Sequence, residues 1–454
     1  MSNGHTLEDE TRHRIDSLLR ERLHEDDIPG LSLAITDSDG VCYARGYGSR
    51  DLSSNAPATP ETVYGIGSVS KSFASLATLL LVDTGELDLD QPVTDELDVD
   101  VPADVTVHQL LSHTSGYPSL ATSEALIARQ MEVGETGVPL GTRADVRAHI
   151  EGAREETKSP GERWMYCNSG YTLIGWLIEQ CTNTPYTDFV TERILEPLGM
   201  DRSTYDEATY EAFDDRMTPY HKTDDGLEPK PVPVREQSAA AGGLLAPVTD
   251  MASYLQLHLR GGRYNGNRLL EESTLEKAYG AYAETPSGPY GYGWRTRTVA
   301  GESLVGHGGS IAVSTAYAGF SREHDLGIVL LANTAPGYGL AELGKGVFGT
   351  LCGEDPEERP FFARKKRFHE LSGEYKSYRG IKTATVEPEG GTLRLRIDGP
   401  IGDGNWTTLI PDDLEKGTFS ILTPAGERQP VQFAETDNGR ELLVDRWRLH
   451  QRSS

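Results

Sequence analysis

Three short segments carry side chains whose types and spacing can do chemistry. The first is Ser68-Val69-Ser70-Lys71, the only Ser-x-x-Lys in the chain. On a helix that starts at Ser68, positions i and i+3 share one face, with Cβ atoms ~5–6 Å apart. An ammonium held there stabilises an alkoxide, and desolvation lowers its pKa so that the neutral amine can take a proton. A helix N-terminus adds positive potential beside the developing charge. Such a pair can make Ser68 a nucleophile without a histidine base. The second segment is Tyr166-Cys167-Asn168, the only Tyr-x-Asn. A phenol facing a lysine can relay a proton, and an Asn amide can hold both the lysine and a substrate carbonyl. The third is His307-Gly308-Gly309-Ser310, just before an expected strand. Glycines there let a strand approach substrate closely and leave a backbone N–H as an oxyanion donor. Singly, each has a plainer reading: a chance match, a loop tyrosine, a Gly-rich turn.

In chain order the three together resemble the serine β-lactamase and penicillin-binding-protein family, specifically the branch with class C β-lactamases, D-aminopeptidases and related esterases. Four flanking stretches resemble it too: VTVHQLLSHTSG (Val105–Gly116), EPLGM (Glu196–Met200), AGGLLAPVTDM (Ala241–Met251) and YGYGW (Tyr290–Trp294). The likeness runs over roughly residues 8 to 350. It implies that Ser68 attacks a carbonyl and that its N–H and that of Ser310 bind the oxyanion. Lys71 and Tyr166 then share general base and acid duty, Asn168 orients the substrate, and an acyl-enzyme on Ser68 is hydrolysed with no cofactor or metal. His307 stands where β-lactamases and carboxypeptidases carry Lys. Histidine is a weaker, pH-dependent cation, so the variant points to a D-amino-acid peptidase, amidase or esterase. Relatives of this kind often carry a lipocalin-like domain that can lean a loop over the site. The context of Ser68, GIGSVSK, is not Gly-x-Ser-x-Gly, so an α/β-hydrolase elbow is not expected.

These residues need elements to position them. An amphipathic helix is expected over Leu7–Leu23, strands at Leu31–Thr36 and Val41–Tyr47, and a long apolar helix from Ser68. Further helices read at Glu124–Glu132, Arg143–Glu151, Thr187–Leu195 and Met251–Leu259, and paired strands at Ala312–Phe320 and Leu326–Leu331. The expected catalytic domain, residues 1–355, is therefore α/β (α+β), a β-lactamase/transpeptidase-like fold with a mainly antiparallel sheet flanked by helices. The site is expected between the sheet edge carrying His307 and the helical region carrying Ser68 and Tyr166. Residues 356–366, within the charged stretch GEDPEERPFFARKKR, read as a linker. Residues 367–454 change to period 2, with strands at Thr383–Val386, Leu393–Ile397, Trp406–Ile410, Phe419–Leu422, Val431–Phe433 and Leu442–Leu449. That pattern suggests a C-terminal lipocalin-like antiparallel barrel.

Composition bounds the partners. The chain has 454 residues and a formal charge of −27, and only 11 of its 43 basic residues are Lys. A dispersed acidic excess poor in lysine reads as a protein kept soluble in concentrated salt, where the self-repulsion is screened. Nucleic acid and anionic membranes need a basic face and are poor partners. No apolar run approaches the ~20 residues of a membrane span, and the opening residues lack the apolar core of a signal peptide, so a soluble, cytoplasmic protein is expected. The four cysteines show no C-x-x-C pair and read as buried small hydrophobes. The expected partner is a small-molecule or peptide substrate; the oligomeric state is open. Two other readings stand beside the hydrolase: a sensor that acylates without turning over, and a self-assembling relative with a vestigial site.

Overall fold

A computed structural model describes residues 7–134, 137–138, 140–153, 158–233, 236–437 and 439–452. Residues 1–6 of the opening segment, and the outermost ends of the two expected domains, lie outside the described residues. The chain divides into two compact units, Met1–Glu354 and Asp355–Ser454.

The first unit is organised on a seven-stranded antiparallel sheet. Its strands are β1 (Gly30–Thr36), β2 (Val41–Asp51), β3 (Ala56–Pro57), β4 (Arg295–Val299), β5 (Glu302–Ser310), β6 (Thr315–Ser321) and β7 (Leu326–Ala332), in the order β4-β5-β6-β7-β1-β2-β3. The middle is made by chain segments from both ends of the unit, with Leu31 opposite Ala332. β1 and β6 are buried along their whole length. Such strands need cover on both faces. The helices that matter here are α1 (Asp9–Glu25), α2 (Ser70–Asp83), α3 (Thr122–Gln130), α4 (Asn168–Thr182), α5 (Val248–Leu259) and α6 (Ala341–Leu351). Ala316, Ala318 and Phe320 of β6 share a buried cluster with Tyr254 and Leu255 of α5. The alternate Tyr317 turns to α6, where a Cβ on Gly344 would fall 2.2 Å from its ring. A period-2 strand thus serves two different helices.

The second unit opens with α7 (Pro360–Leu371) and continues as an eight-stranded closed barrel. Its strands are β8 (Gly373–Lys376), β9 (Thr383–Glu389), β10 (Thr392–Asp398), β11 (Thr407–Asp413), β12 (Thr418–Leu422), β13 (Arg428–Thr436), β14 (Gly439–Val444) and β15 (Trp447–Arg452). Closure runs through β8 and β15, with Lys376 opposite His450. Closing the sheet leaves no free edge. Tyr375, Leu393, Leu409, Phe433 and Leu449 belong to the apolar core inside. Consecutive hairpins alternate between the barrel's two ends. Four large apolar side chains left exposed in this unit, Tyr378, Ile381, Ile401 and Leu422, sit on or beside the hairpins of one end.

Several expectations are corrected. The segment expected as a linker holds most of α7, because Pro360 supplies an N-terminal residue with preset φ and FFARKKRFHEL continues without a breaker. Leu442–Leu449 is two strands, not one: Asp445 turns left-handed (φ 51°) in a two-residue hairpin between Val444 and Trp447. The short β8, with only Tyr375 buried, shows too little alternation to be read in advance. Of the four cysteines, all free, only Cys167 is buried. Among the described residues no helix is long and apolar enough to cross a membrane.

Candidate functional site

Ser68 does not begin the α-helix. It lies in a 3-10 turn, Gly67–Val69, that runs directly into α2 at Ser70. The i, i+3 relation survives, and the Lys71 Nζ donates to Ser68 Oγ at 3.1 Å. A second bond, 2.6 Å to the carbonyl of Ala241, holds the amine from the AGGLL segment. Lys71 is wholly buried. Desolvation pushes its pKa down to about 7, only partly offset by the negative charge of Glu124.

The turn is pinned from the sheet. Gly67 has φ 53°, and a Cβ there would fall 2.5 Å from the backbone N of Ser310. A Cβ on Gly309 would fall 1.9 Å from the carbonyl O of Ile66 and 3.0 Å from the N of Ser68. Both glycines are needed for the end of β5 to lie against the nucleophile turn. His307 is not on the edge strand itself, since β4 lies outside β5. The ladder to β4 stops at Gly306, opposite Arg295, so His307–Ser310 continue past it, paired only with β6.

Tyr166 and Asn168 lie where a loop enters α4. Burial raises the pKa of Tyr166, and the Ser68 hydroxyl offsets only part of that rise, so the phenol is held protonated. Lys71 Nζ sits 4.9 Å from the centre of its ring. His113 packs against the same ring, centroids 4.2 Å apart, and its Nδ1 accepts from the N–H of Cys167. His113, of the SHTSG loop, is therefore part of the seat of Tyr166. Asn168 Oδ1 is buried without a protein partner.

Ser68, Tyr166, Asn168 and Ser310 line one cavity of about 440 Å³. The rest of its lining is largely apolar, with Ile127, Met131, Val133 and Ile311 among others. Among the described lining residues there is one carboxylate, Glu124, and no lysine or arginine. His307 is not in that lining. It is buried, with Nδ1 2.6 Å from the carbonyl of Gly308 and Nε2 3.2 Å from the Tyr290 hydroxyl. Desolvation, then the nearby Lys71 charge, pushes its pKa down to about 3. The imidazole is thus a neutral wedge beside Tyr166, not the pH-dependent cation expected from its place in the motif. Tyr290 belongs to the YGYGW stretch, whose Gly293 (φ 70°) lets that loop lie against α2, where a Cβ would fall 2.8 Å from Ser72 N. Glu124 and His221, both in the lining, were not singled out for chemistry by spacing. Each is a lone polar residue in sequence, and only the fold brings it to the cavity.

A lysine bonded to a serine beside a phenol, on a helical turn against an antiparallel sheet, is a site of the serine hydrolase type. The chain belongs to the Beta-lactamase family, which matches residues 15–345. Residues 356–450 match the Pab87 octamerisation domain. The octameric penicillin-binding protein homologue from Pyrococcus abyssi is 33% identical and covers 97% of this chain and 100% of its own, with a TM-score of 0.88. Penicillin-binding protein 4 of Amycolatopsis lactamdurans is 27% identical over 317 residues, 66% of this chain and 78% of that protein. Protein flp of Staphylococcus aureus (strain MW2) is 27% identical over 343 residues, 73% of this chain; the match spans 65% of that protein's length. The D-amino acid amidase of Ochrobactrum anthropi SV3, 24% identical with a TM-score of 0.64 over 76% of this chain and 99% of its own, shares the fold.

Proposed function

We propose that the protein hydrolyses amide or ester bonds through an acyl-enzyme on Ser68, as a D-amino-acid peptidase, amidase or esterase. The observation that carries this is the buried Lys71 amine, 3.1 Å from Ser68 Oγ with its pKa pushed down to about 7. Near neutrality a large share of such an amine is free base and can take the Ser68 proton as the hydroxyl attacks. Tyr166, kept protonated by burial, then serves as the relay that delivers the proton to the leaving amine or alcohol and recovers it from the deacylating water. The N–H groups of Ser68 and Ser310, brought together by Gly67 and Gly309, bind the oxyanion. Asn168 orients the substrate at the mouth of the cavity. A cavity with Glu124 and no described lysine or arginine suits a substrate bearing a free amino group better than one bearing a carboxylate.

The test is intact-protein mass spectrometry after exposure to a fluorophosphonate and, separately, a penicillin, with wild type beside Ser68→Ala. One adduct on the wild type, absent from the variant, is expected. A penicillin adduct that persists would support a slow acylating sensor instead. No adduct on folded wild type would overturn the reading.

We propose also that the barrel drives self-association. The supporting observations are the likeness to an octamerisation domain and the four exposed apolar side chains at one barrel end. Light scattering behind size-exclusion chromatography should give an oligomer that Ile401→Asp with Tyr378→Ser reduces. An unchanged mass in that variant would move the contact elsewhere.

A further inference from the structure

Tyr166 stands in a segment without regular secondary structure, between the turn at Pro160–Gly161 and the start of α4 at Asn168. No helix or strand ladder holds it, so contacts from elsewhere must. They come from the loop Ser112–Gly116, which follows the short helix Val107–Leu111. The two segments pair in an antiparallel sense. Met165 N–H donates to the carbonyl of His113 at 2.8 Å, Gly161 N–H to that of Thr114 at 2.7 Å, and Lys158 N–H to that of Gly116 at 2.9 Å. A fourth bond goes to a side chain: Cys167 N–H donates to His113 Nδ1 at 3.2 Å. His113 thus holds the residue on each side of Tyr166, one by its carbonyl and one by its ring. The ring itself lies 4.2 Å from that of the phenol.

Stability alone gives little reason for a histidine here. Its backbone is left-handed, with φ 60°. It is buried, and its Nε2 has no hydrogen-bond partner in the protein, a loss that buried polar groups rarely bear. Because Nδ1 accepts, the ring is neutral and carries its proton on Nε2. Burial, then the Lys71 charge, holds its pKa well below the ordinary value and keeps that acceptor available. Costs of this kind persist where the surrounding fold enforces them, and they gather at working sites.

We propose that His113 is a positioning residue: by bonding both neighbours of Tyr166, it fixes the phenol where it can protonate the leaving group. This rests on the acyl-enzyme reading of the same site. His113 is not in the cavity lining, so it acts through Tyr166. In acylation Ser68 Oγ bonds the carbonyl carbon and its proton passes to Lys71. The bond to the leaving atom breaks as Tyr166 delivers a proton there, and Lys71 returns one to Tyr166. A misplaced phenol therefore costs most where the leaving group needs a proton, and least where it departs as a stable anion.

The experiment compares kcat/KM for phenyl acetate and p-nitrophenyl acetate, which share an acyl group and differ in how much the departing oxygen needs a proton. His113→Gly accepts the left-handed backbone and removes ring and acceptor together. It should lower kcat/KM for phenyl acetate by about 10-fold or more beyond any loss on p-nitrophenyl acetate. His113→Asn tolerates the same backbone and offers Oδ1 to the Cys167 N–H. It should show the same difference, smaller, and supplies the comparison alone if the glycine variant does not fold. In a Tyr166→Phe background the substitution should change the ratio of the two esters no further, because the group it positions is gone. Equal losses on both esters, no loss on either, or a difference that survives in Tyr166→Phe would overturn the proposal. A wild type that hydrolyses neither ester would instead overturn the acyl-enzyme reading beneath it.

Discussion

The interiors of the two units are built on opposite terms. The barrel core is apolar: Tyr375, Leu395, Phe419, Phe433 and Leu442 pack inside, and among the described residues only Ser420 and Glu441 are polar and buried there. Its charges pair around the outside, as Arg394 does with Glu387 and Glu389. The sheet unit buries Lys71, Ser70, His113 and His307 side by side. It also holds His113 at φ 60°, a conformation that L side chains rarely adopt. Hydrophobic burial accounts for the apolar core of the barrel and for none of those four. Groups placed against the demands of stability are the mark of a site.

The comparison predicts where substitutions act. The largest effects fall on activity in the sheet unit. Lys71→Ala and Tyr166→Phe should each lower kcat/KM by roughly 10²–10⁴-fold, the usual worth of a general acid–base group. Steady-state assays on any substrate the wild type turns over will decide it, and full activity in Lys71→Ala would remove the mechanism. The barrel should behave in the opposite way. Phe433→Ala empties a fully packed position and should cost about 3–5 kcal/mol of barrel stability. Urea unfolding will measure that loss, while fluorophosphonate labelling of Ser68 below the transition should keep its rate.

Much of this contrast was legible in the residues. Ser68, Lys71, Tyr166, Asn168, Gly309 and Ser310 were singled out because their spacing is local: a turn, a loop, a strand end. The fold brings these short segments together. The alternation of β9 to β13 gave the barrel for the same reason. What could not be read depends on contacts between distant segments. His307 carries the same letter whether it faces solvent or lies under Tyr290, and only burial decides that it is neutral. Glu124 and His221 are nearly a hundred positions apart and meet across a cavity that no periodicity announces. The α-helix begins two residues beyond Ser68 because Gly67 must bend toward Ser310, a demand set by the strand and not by the helix.

A buried amine also leaves a thermodynamic trace. The folded pKa of Lys71, about 7, lies below its ordinary 10.5. Between these values the unfolded chain binds more protons, so stability rises with pH across the window; below about 7 the whole burial cost is borne. Lys71→Met should therefore stabilise the sheet unit at neutral pH by on the order of 3–5 kcal/mol, and the gain should fade toward pH 10.5. Unfolding curves at several pH values will show it, and an equal gain at every pH would assign the effect to packing. Gly67→Ala should act on geometry alone. Its Cβ would strike Ser310 N at 2.5 Å, so labelling should slow by about 10-fold or more, with the barrel's unfolding unchanged.

The smallest expected effect is the most pointed. If one titrating group governs the acid side of the pH profile, it is Lys71, and kcat/KM should rise through about pH 7 as the amine loses its proton. His307 is the rival, because a histidine ordinarily titrates in that range. Burial has pushed it down to about 3, and the Gly308 carbonyl and Tyr290 hydroxyl fix its neutral tautomer. Nothing about it should change between pH 5 and 9. His307→Gln keeps a polar side chain there and should leave the midpoint of the acid limb where it is, whatever it does to the height of the curve. Lys71→Ala should erase the limb from any residual activity. A limb that moves or vanishes in His307→Gln and persists in Lys71→Ala would transfer the proton from the lysine to the histidine. The neutral wedge would then be the base.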